Sequence, residues 1–323
     1  MENLIRCCNF LNKSKEMKNI KLVLLSCFVF LFASSCKKEG TNIFNMFTDV
    51  EVIYHDNSPY SITGYKQVND GDSIYIDVTV KSAKEDMYVL CLLQAGTTSP
   101  TKVTIKEANR REVSHTFKMK ATKAGKTSYR VYPLDKRGIY LGDNYKSVTI
   151  DVKPNFTFLN ERLLFSPDTV EKVKKCYLSL TTGETFSYSE GKGNESKIDL
   201  GVYSQLVEEN KVLVRRFYLY SLDANPLPFN AYDISSWNKR KTLFSTVTVS
   251  GGSKFTSFTS ASLITAAANA VNINQSGPIL IKGGELIYFK TQEGKIGAIY
   301  VFSSTLNSHS LGHYLNLQVK YPN

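Results

Sequence analysis

Little in this chain suits covalent staples or metal ions. It has six cysteines in 323 residues. Three of these, Cys7, Cys8 and Cys27, lie upstream of Cys36, where we expect the mature chain to begin. The remaining two, Cys91 and Cys176, sit in the apolar runs MYVLCLLQ and KKCYLSL. An exported chain that depends on disulfides uses more cysteine than this. Both are therefore expected as buried free thiols, with stability supplied by core packing. Histidine is equally scarce, at His55, His115, His309 and His313. The HSLGH stretch (309–313) has the spacing that aligns two imidazoles on a helix, but Gly312 and the alternating run after it disfavour a helix. No Glu adjoins either histidine as in a zinc-protease motif.

The usual catalytic motifs are missing too. GGS (251–253) and GKG (191–193) lack the Lys-Ser/Thr that completes a phosphate loop, and no G-x-S-x-G elbow occurs. Asp70 and Asp72 fall in an NDGDS turn, where such side chains satisfy nearby backbone. Calcium needs six or more oxygens, and too few acids surround that turn. No catalytic, cofactor-binding or metal-binding residue is assigned, and the chain reads as non-enzymatic. Acid is in deficit, with 29 Asp and Glu against 40 Lys and Arg. The basic residues form no block of five or six, so nucleic acid is not an expected partner. Weak attraction to anionic headgroups or acidic glycans fits the charge.

No apolar run is long enough to span a bilayer. The longest, Leu22–Phe32, is of secretory h-region length and short of the 18 or more residues of a span. Lys18 and Lys21 precede it, and Ala33-Ser34-Ser35-Cys36 follows, with Lys37-Lys38 directly after. This order resembles a bacterial lipoprotein signal, with Ala33-Ser34-Ser35 as the lipobox. The resemblance implies a thioether lipid on Cys36, cleavage before it and acylation of the new amino group. Together these exceed the two signals that stable anchoring takes. The membrane is then a partner through that lipid, at the outer membrane. Met17 is placed as the start of such a signal, so residues 1–16 read as an over-long N-terminus, 17–35 as the signal and 36–48 as a tether.

What is abundant is alternation. VEVIYH, SIYIDVTV (73–80), MYVLCLLQ (87–94), TKVTIK (101–106), EVSHTFKMK (112–120), KTSYRVYP (126–133) and KSVTIDV (146–152) read as strands separated by turn signals. In EVSHTFKMK, Val113, His115, Phe117 and Met119 share one face. About seven strands in roughly a hundred residues is the pattern of an immunoglobulin-like β-sandwich, assigned to 49–153. Pro154 marks a joint. The region 154–323 is expected to be a second β-sandwich-like domain, with strands in 174–181, 211–222, 242–249, 285–291, 295–304 and 313–321. Gln292-Glu293-Gly294 makes a hairpin. TSASLITAAANAV (259–271) reads as one short helix, alanine-rich and capped by Ser or Thr, lying across the open end of a sheet. The fold class is all-β.

The stretches SLTTGETFSYSEGKGNESKIDLGVY (179–203) and KGGELIYFKTQEGKIGAIYVFSS (282–304) resemble a recurrent module of uncharacterised two-domain β-rich lipoproteins from Bacteroidota. That resemblance implies a cell-envelope β-protein and carries no catalytic residues.

Aromatic residues make up 12% of the chain, yet tryptophan occurs once. Trp237 lies in NAYDISSWNKRK (230–241), a polar loop. There Trp237 with Tyr232, Asp233 and Asn238 could form a sugar platform, or Trp237 could instead plug the sandwich. The expected function is an envelope-anchored lipoprotein that binds glycan, or another extracytoplasmic ligand or envelope protein. The alternatives are a fimbria-like adhesive subunit and a hydrolase with a dispersed site.

Overall fold

The computed structural model describes residues 49–168, 170–305 and 312–323. Cys36, the expected signal and tether, and His309 lie outside the described residues. Strand accounts for 46% and helix for 9% of the structure, and the protein is an all-β, multi-sandwich fold.

The first sandwich has two facing sheets. One is β1 (Val50–His55), β3 (Ser73–Ser82) and β6 (Glu112–Lys120) in the order β1-β3-β6. The other contains β2 (Tyr65–Val68), β4 (Val89–Gln94), β5 (Thr101–Thr104), β7 (Gly125–Leu134) and β8 (Val148–Val152), in the order β2-β8-β7-β4-β5. Seven of these strands coincide with the alternating runs. The eighth, β2, was not foreseen, because YKQV offers a single buried residue, Val68. It pairs parallel with β8 while every neighbouring pair is antiparallel. The first two strands of the domain thus go one to each sheet. The core between the sheets is aliphatic, with Val52, Ile76, Val80, Leu90 and Val131 fully buried.

The strands of the other two sheets all lie in 156–322. One sheet is β10 (Tyr177–Leu178), β11 (Thr185–Phe186), β12 (Leu200–Glu209), β13 (Val212–Ser221) and β16 (Ile279–Ile281), ordered β11-β10-β12-β13-β16. The second is ordered β15-β14-β17-β18-β19-β9, from β9 (Phe156–Phe165), β14 (Leu243–Ser245), β15 (Ile273–Gln275), β17 (Leu286–Lys290), β18 (Ile296–Thr305) and β19 (Tyr314–Pro322). The hairpin expected at Gln292-Glu293-Gly294 joins β17 to β18. Strand β9 begins at Phe156, so Pro154 lies in neither sheet, in the three residues between β8 of the first sandwich and β9.

Among the described residues three α-helices stand where one was expected: α1 (Tyr188–Gly191), α2 (Gly252–Ser257) and α3 (Ala261–Asn269). The foreseen one is α3, whose Ser260 hydroxyl accepts from Leu263 N. Its position differs from expectation. Helices α2 and α3 pack on the outer face of the six-stranded sheet, burying Phe255, Phe258, Ile264 and Ala268 against Leu286, Tyr288 and Ala298. Ile287, Phe289, Ile299 and Val301 face the opposite way, into the sandwich. Strands β17 and β18 are thereby covered on both faces. Lys320, on the helix side of β19 and 9% exposed, donates to the carbonyls of Phe255 (3.0 Å) and Phe258 (2.9 Å). An ammonium here satisfies carbonyls left free at the C-terminal end of α2.

The sandwiches meet at the NDGDS turn. Asp72 serves the turn itself, accepting from Asn69 N (2.8 Å). Asp70 instead reaches α3, accepting from Ser262 N and Ser262 Oγ (both 2.7 Å) and from Asn155 Nδ2 (2.8 Å). Asn155 Oδ1 in turn accepts from Ala261 N (3.0 Å). The first amides of α3 are therefore capped by Asn155, Asp70 and Ser260 together, one of them from the other domain. Burial works to raise the Asp70 carboxyl; the hydrogen bonds from Asn155 and Ser262 outweigh it and hold the group below the ordinary carboxylate range.

Candidate functional site

Of the four residues predicted to form an open platform, Trp237 lies beneath the surface, Tyr232 is half-buried, and Asp233 and Asn238 are exposed. Trp237 is 5% exposed. Its ring stacks on Tyr188 (centroids 5.5 Å, interplanar 26°) and tilts against Tyr177 (5.1 Å). Gly191 is what admits it: a Cβ there would stand 2.4 Å from the Trp237 ring. Buried and packed by two tyrosines, Trp237 presents no open face to a sugar, and of the two expected roles it takes that of the plug. The driving force is the burial of a large ring, which outweighs leaving its indole N–H without a partner. Tyr232 is half-buried against Tyr188 (5.1 Å), and its hydroxyl donates to the Asp168 carbonyl. Asp233 and Asn238 are exposed. Asp233 is spent on its own loop, accepting from Ser235 N (2.9 Å), and that bond holds its carboxyl low.

A polar concavity of this domain lies beside α1, lined in part by Glu190. The edge strands of the two sheets, β9 and β11, face each other across a groove of about 640 Å³. Its shape originates in a β-bulge. Along β19, Leu317 pairs with Arg162 and Val319 with Leu159, so Gln318 alone opposes Asn160 and Glu161. Gln318 Nε2 fills the gap by donating to Asn160 Oδ1 (2.8 Å). Glu161 sits at φ 55°, in the left-handed region that non-glycine residues seldom occupy. Bulges of this kind bend an edge strand and re-aim its side chains. Here Glu161, Arg162, Leu163 and Phe165 all line the groove.

Opposite them stand Glu184, Phe186 and Glu190, with Lys175 and Asn194 at the end. Gly183 makes the close approach possible. It adopts φ 74°, and a Cβ on it would meet Arg162 Nε at 2.9 Å and Leu159 Cδ2 at 3.0 Å. Arg162 donates from Nη1 to the Asn160 carbonyl (2.6 Å), while its Nε is buried without a partner. Glu190 closes the capping box of α1: its carboxylate accepts from Ser187 N (2.9 Å), the chief reason its pKa lies below the usual range. Trp237 supports this wall from behind by packing on α1.

A second polar cluster shows why location alone does not make a site. Outward from the three-stranded sheet, His55 Nε2 and Thr79 Oγ1 lie 2.8 Å apart, and Thr79 Oγ1 is 2.8 Å from Ser114 Oγ. Asp77 accepts from Ser61 and Thr116 rather than orienting His55. A hydroxyl and an imidazole are in contact, but the third, orienting group of a nucleophilic triad is turned elsewhere. The other notable carboxylate, Asp199, is fully buried; burial pushes its pKa up, against the pull of Arg240. Arg240 donates to Asp199 Oδ1 (3.1 Å), to the Ser196 carbonyl (2.7 Å) and to Glu293 Oε2 (2.6 Å). It ties the 179–203 segment to the 282–304 hairpin and is structural. Among the described residues no group of three or more His, Cys, Asp or Glu gathers as a metal site. Cys91 and Cys176 are free and buried.

No protein-family profile matches the chain, and no curated protein matches it significantly. What fold and groove together define is a two-sandwich β-protein with a polar cleft on an open sandwich edge.

Proposed function

We propose that this protein is a lipid-anchored component of a bacterial cell envelope that binds glycans non-catalytically in the β9–β11 groove. In this reading Cys36 carries the lipid, and the immunoglobulin-like sandwich holds the second domain away from the membrane.

One observation carries the proposal: the bulge at Asn160–Glu161 turns a carboxylate and a guanidinium toward Glu184, Phe186 and Asn194 across one groove. Sugars present hydroxyl edges and apolar C–H faces. Carboxylates, an amide and a guanidinium beside phenyl rings match both, and a volume of about 640 Å³ falls in the range of small-molecule sites. The groove's polar groups come from strand edges and a capped turn, so little ordering is needed on binding.

The test is affinity electrophoresis of the protein against a panel of soluble polysaccharides. Retardation by at least one, lost in Arg162→Ala with an unchanged melting temperature, is the expected result. Retardation by none, or retardation untouched by Arg162→Ala and Glu184→Gln, would refute it. The anchor is tested separately: mass spectrometry of native material should give an N-terminal Cys36 peptide carrying lipid, and an unmodified Cys36 preceded by residues 17–35 would contradict it.

A further inference from the structure

The immunoglobulin-like sandwich contains a cavity of its own, of about 350 Å³, where its two sheets part at the end nearest the second domain. Its floor is apolar. Ile74 comes from one sheet; Met119 and Tyr129, both half-buried, close in from opposite sides. Among these hydrocarbon walls is a single deep hydroxyl. Thr127 is 6% exposed, and its Oγ1 is buried with no hydrogen-bond partner. A buried hydroxyl without a partner costs about 1–3 kcal/mol. Such a group in a native protein calls for an explanation, and a bound molecule beside it is one.

The mouth has the opposite character. Lys120 and Lys123 are exposed there, Lys120 donating to Ser73 Oγ (2.9 Å), and no Asp or Glu is among the lining residues. Elsewhere in the domain Lys81 pairs with Glu112 and Lys84 with Asp49. The cavity thus has a positive rim, an apolar body and one hydrogen-bonding group at depth. Burial also pushes the Tyr129 phenol up, consistent with a ring held in a poorly hydrated wall.

We infer that this cavity is a binding site for a small carboxylate with a compact apolar body and a second polar atom at its far end. The carboxylate lies at Lys120 and Lys123, the body against Ile74, Met119 and Tyr129, and the distal polar atom reaches Thr127 Oγ1. The inference does not depend on the groove of the second domain, because it rests on different residues in a different sandwich.

It also connects to the rest of the molecule. The segment after β6 that lines the cavity, Ala121–Lys123, is held by the second domain: Thr259 Oγ1 donates to the Thr122 carbonyl (3.0 Å), and Ala124 N donates to the Thr259 carbonyl (2.9 Å). Thr259 lies directly before the capped start of α3. Occupancy of the cavity therefore acts on the same segment that joins the two sandwiches.

The experiment is isothermal titration of the full chain with three probes: benzoate, 4-hydroxybenzoate and the neutral benzyl alcohol. Saturable one-to-one binding of both carboxylates is expected, with 4-hydroxybenzoate tighter by about threefold to tenfold, the worth of one net hydrogen bond. Benzyl alcohol should bind at least about tenfold more weakly than benzoate. Lys120→Ala with Lys123→Ala should remove the preference for the carboxylates. Thr127→Val, nearly isosteric, should erase the advantage of the hydroxyl while leaving benzoate affinity unchanged. Absence of saturable binding by either carboxylate would overturn the inference, since the cavity then holds only water. Binding that ignores both sets of substitutions would overturn it equally, because the probe then sits elsewhere.

Discussion

The two sandwiches solve the same packing problem with different materials. The first keeps an aliphatic core between two sheets and leaves most outward faces to polar side chains. The second buries tyrosine and tryptophan and covers one sheet a second time with α2 and α3, while each sandwich holds one deeply buried aspartate against an arginine, Asp143 with Arg130 in the first and Asp199 with Arg240 in the second. Beyond that pair, the first domain's stability rests on many small, interchangeable contacts. In the second, single residues carry large shares: Trp237 fills the space under α1, and Arg240 neutralises Asp199 while joining two distant segments. Single substitutions should therefore cost much more in the second domain.

The largest effect is expected for Trp237→Ala. Truncating a buried tryptophan costs about 3–5 kcal/mol, and the cavity would open beneath α1. Thermal unfolding should show a selective loss in the second domain's transition, and Trp237→Phe should recover much of it because no indole hydrogen bond is forfeited.

Arg240→Met comes next. It leaves Asp199 buried without its cation, a change worth about 3 kcal/mol or more. The pH dependence identifies the cause. The Asp199 carboxyl is raised in the folded state by burial, so it binds its proton more readily folded than unfolded. Its contribution is then most favourable below the unfolded carboxylate range and falls as pH rises through the folded value. Removing Arg240 takes away the pull that opposes burial, so this fall steepens. The difference between wild type and Arg240→Met should be smaller near about pH 4 than near about pH 7. A pH-independent difference would mean that lost packing, not charge, is responsible.

A smaller effect belongs to the junction. Asp70→Ala removes a helix cap, at about 0.5–2 kcal/mol. Its sign with pH is opposite to that of Asp199. The folded Asp70 carboxyl is lowered, so its contribution is complete above the unfolded carboxylate range and is lost as pH falls through the folded value. Hydrogen exchange should report faster opening of the first turn of α3, with the cores of both sandwiches unchanged. Unchanged exchange there would show that Asn155 and Ser260 suffice.

The difference between the domains also explains how much was legible in the sequence. Strands of the first sandwich have one buried face, and the resulting alternation marked seven of eight strands; Val113, His115, Phe117 and Met119 do share a face. In β12, Leu200 to Ser204 are all buried, and in β17 so are Leu286 to Phe289. Period-2 polarity vanishes where consecutive residues are all buried; β17 still stands out as a continuous apolar run, whereas in β12 the glycine, tyrosine and serine of LGVYS interrupt the apolar run and leave neither signature. Trp237 was read from a polar loop sequence, yet its partners Tyr177 and Tyr188 come from β10 and α1, and no spacing rule connects them. The groove was hidden for a related reason. Its residues are split between β9 and β10–β11, and the bulge that aims them depends on register with β19, at the far end of the chain. The positive φ of Glu161 has no local signature, since neither Gly nor Asn stands there.

That strained residue supplies the most direct test of the groove as a glycan site. Backbone held in the left-handed region by a non-glycine residue costs about 1–2 kcal/mol, so Glu161→Gly should leave stability unchanged or raise it slightly. If the bulge is kept to aim Glu161 into a ligand, the same substitution should weaken binding of the retarding polysaccharide about tenfold or more in isothermal titration. A Glu161→Gly protein of equal or greater stability that binds that polysaccharide as tightly as wild type would contradict the account.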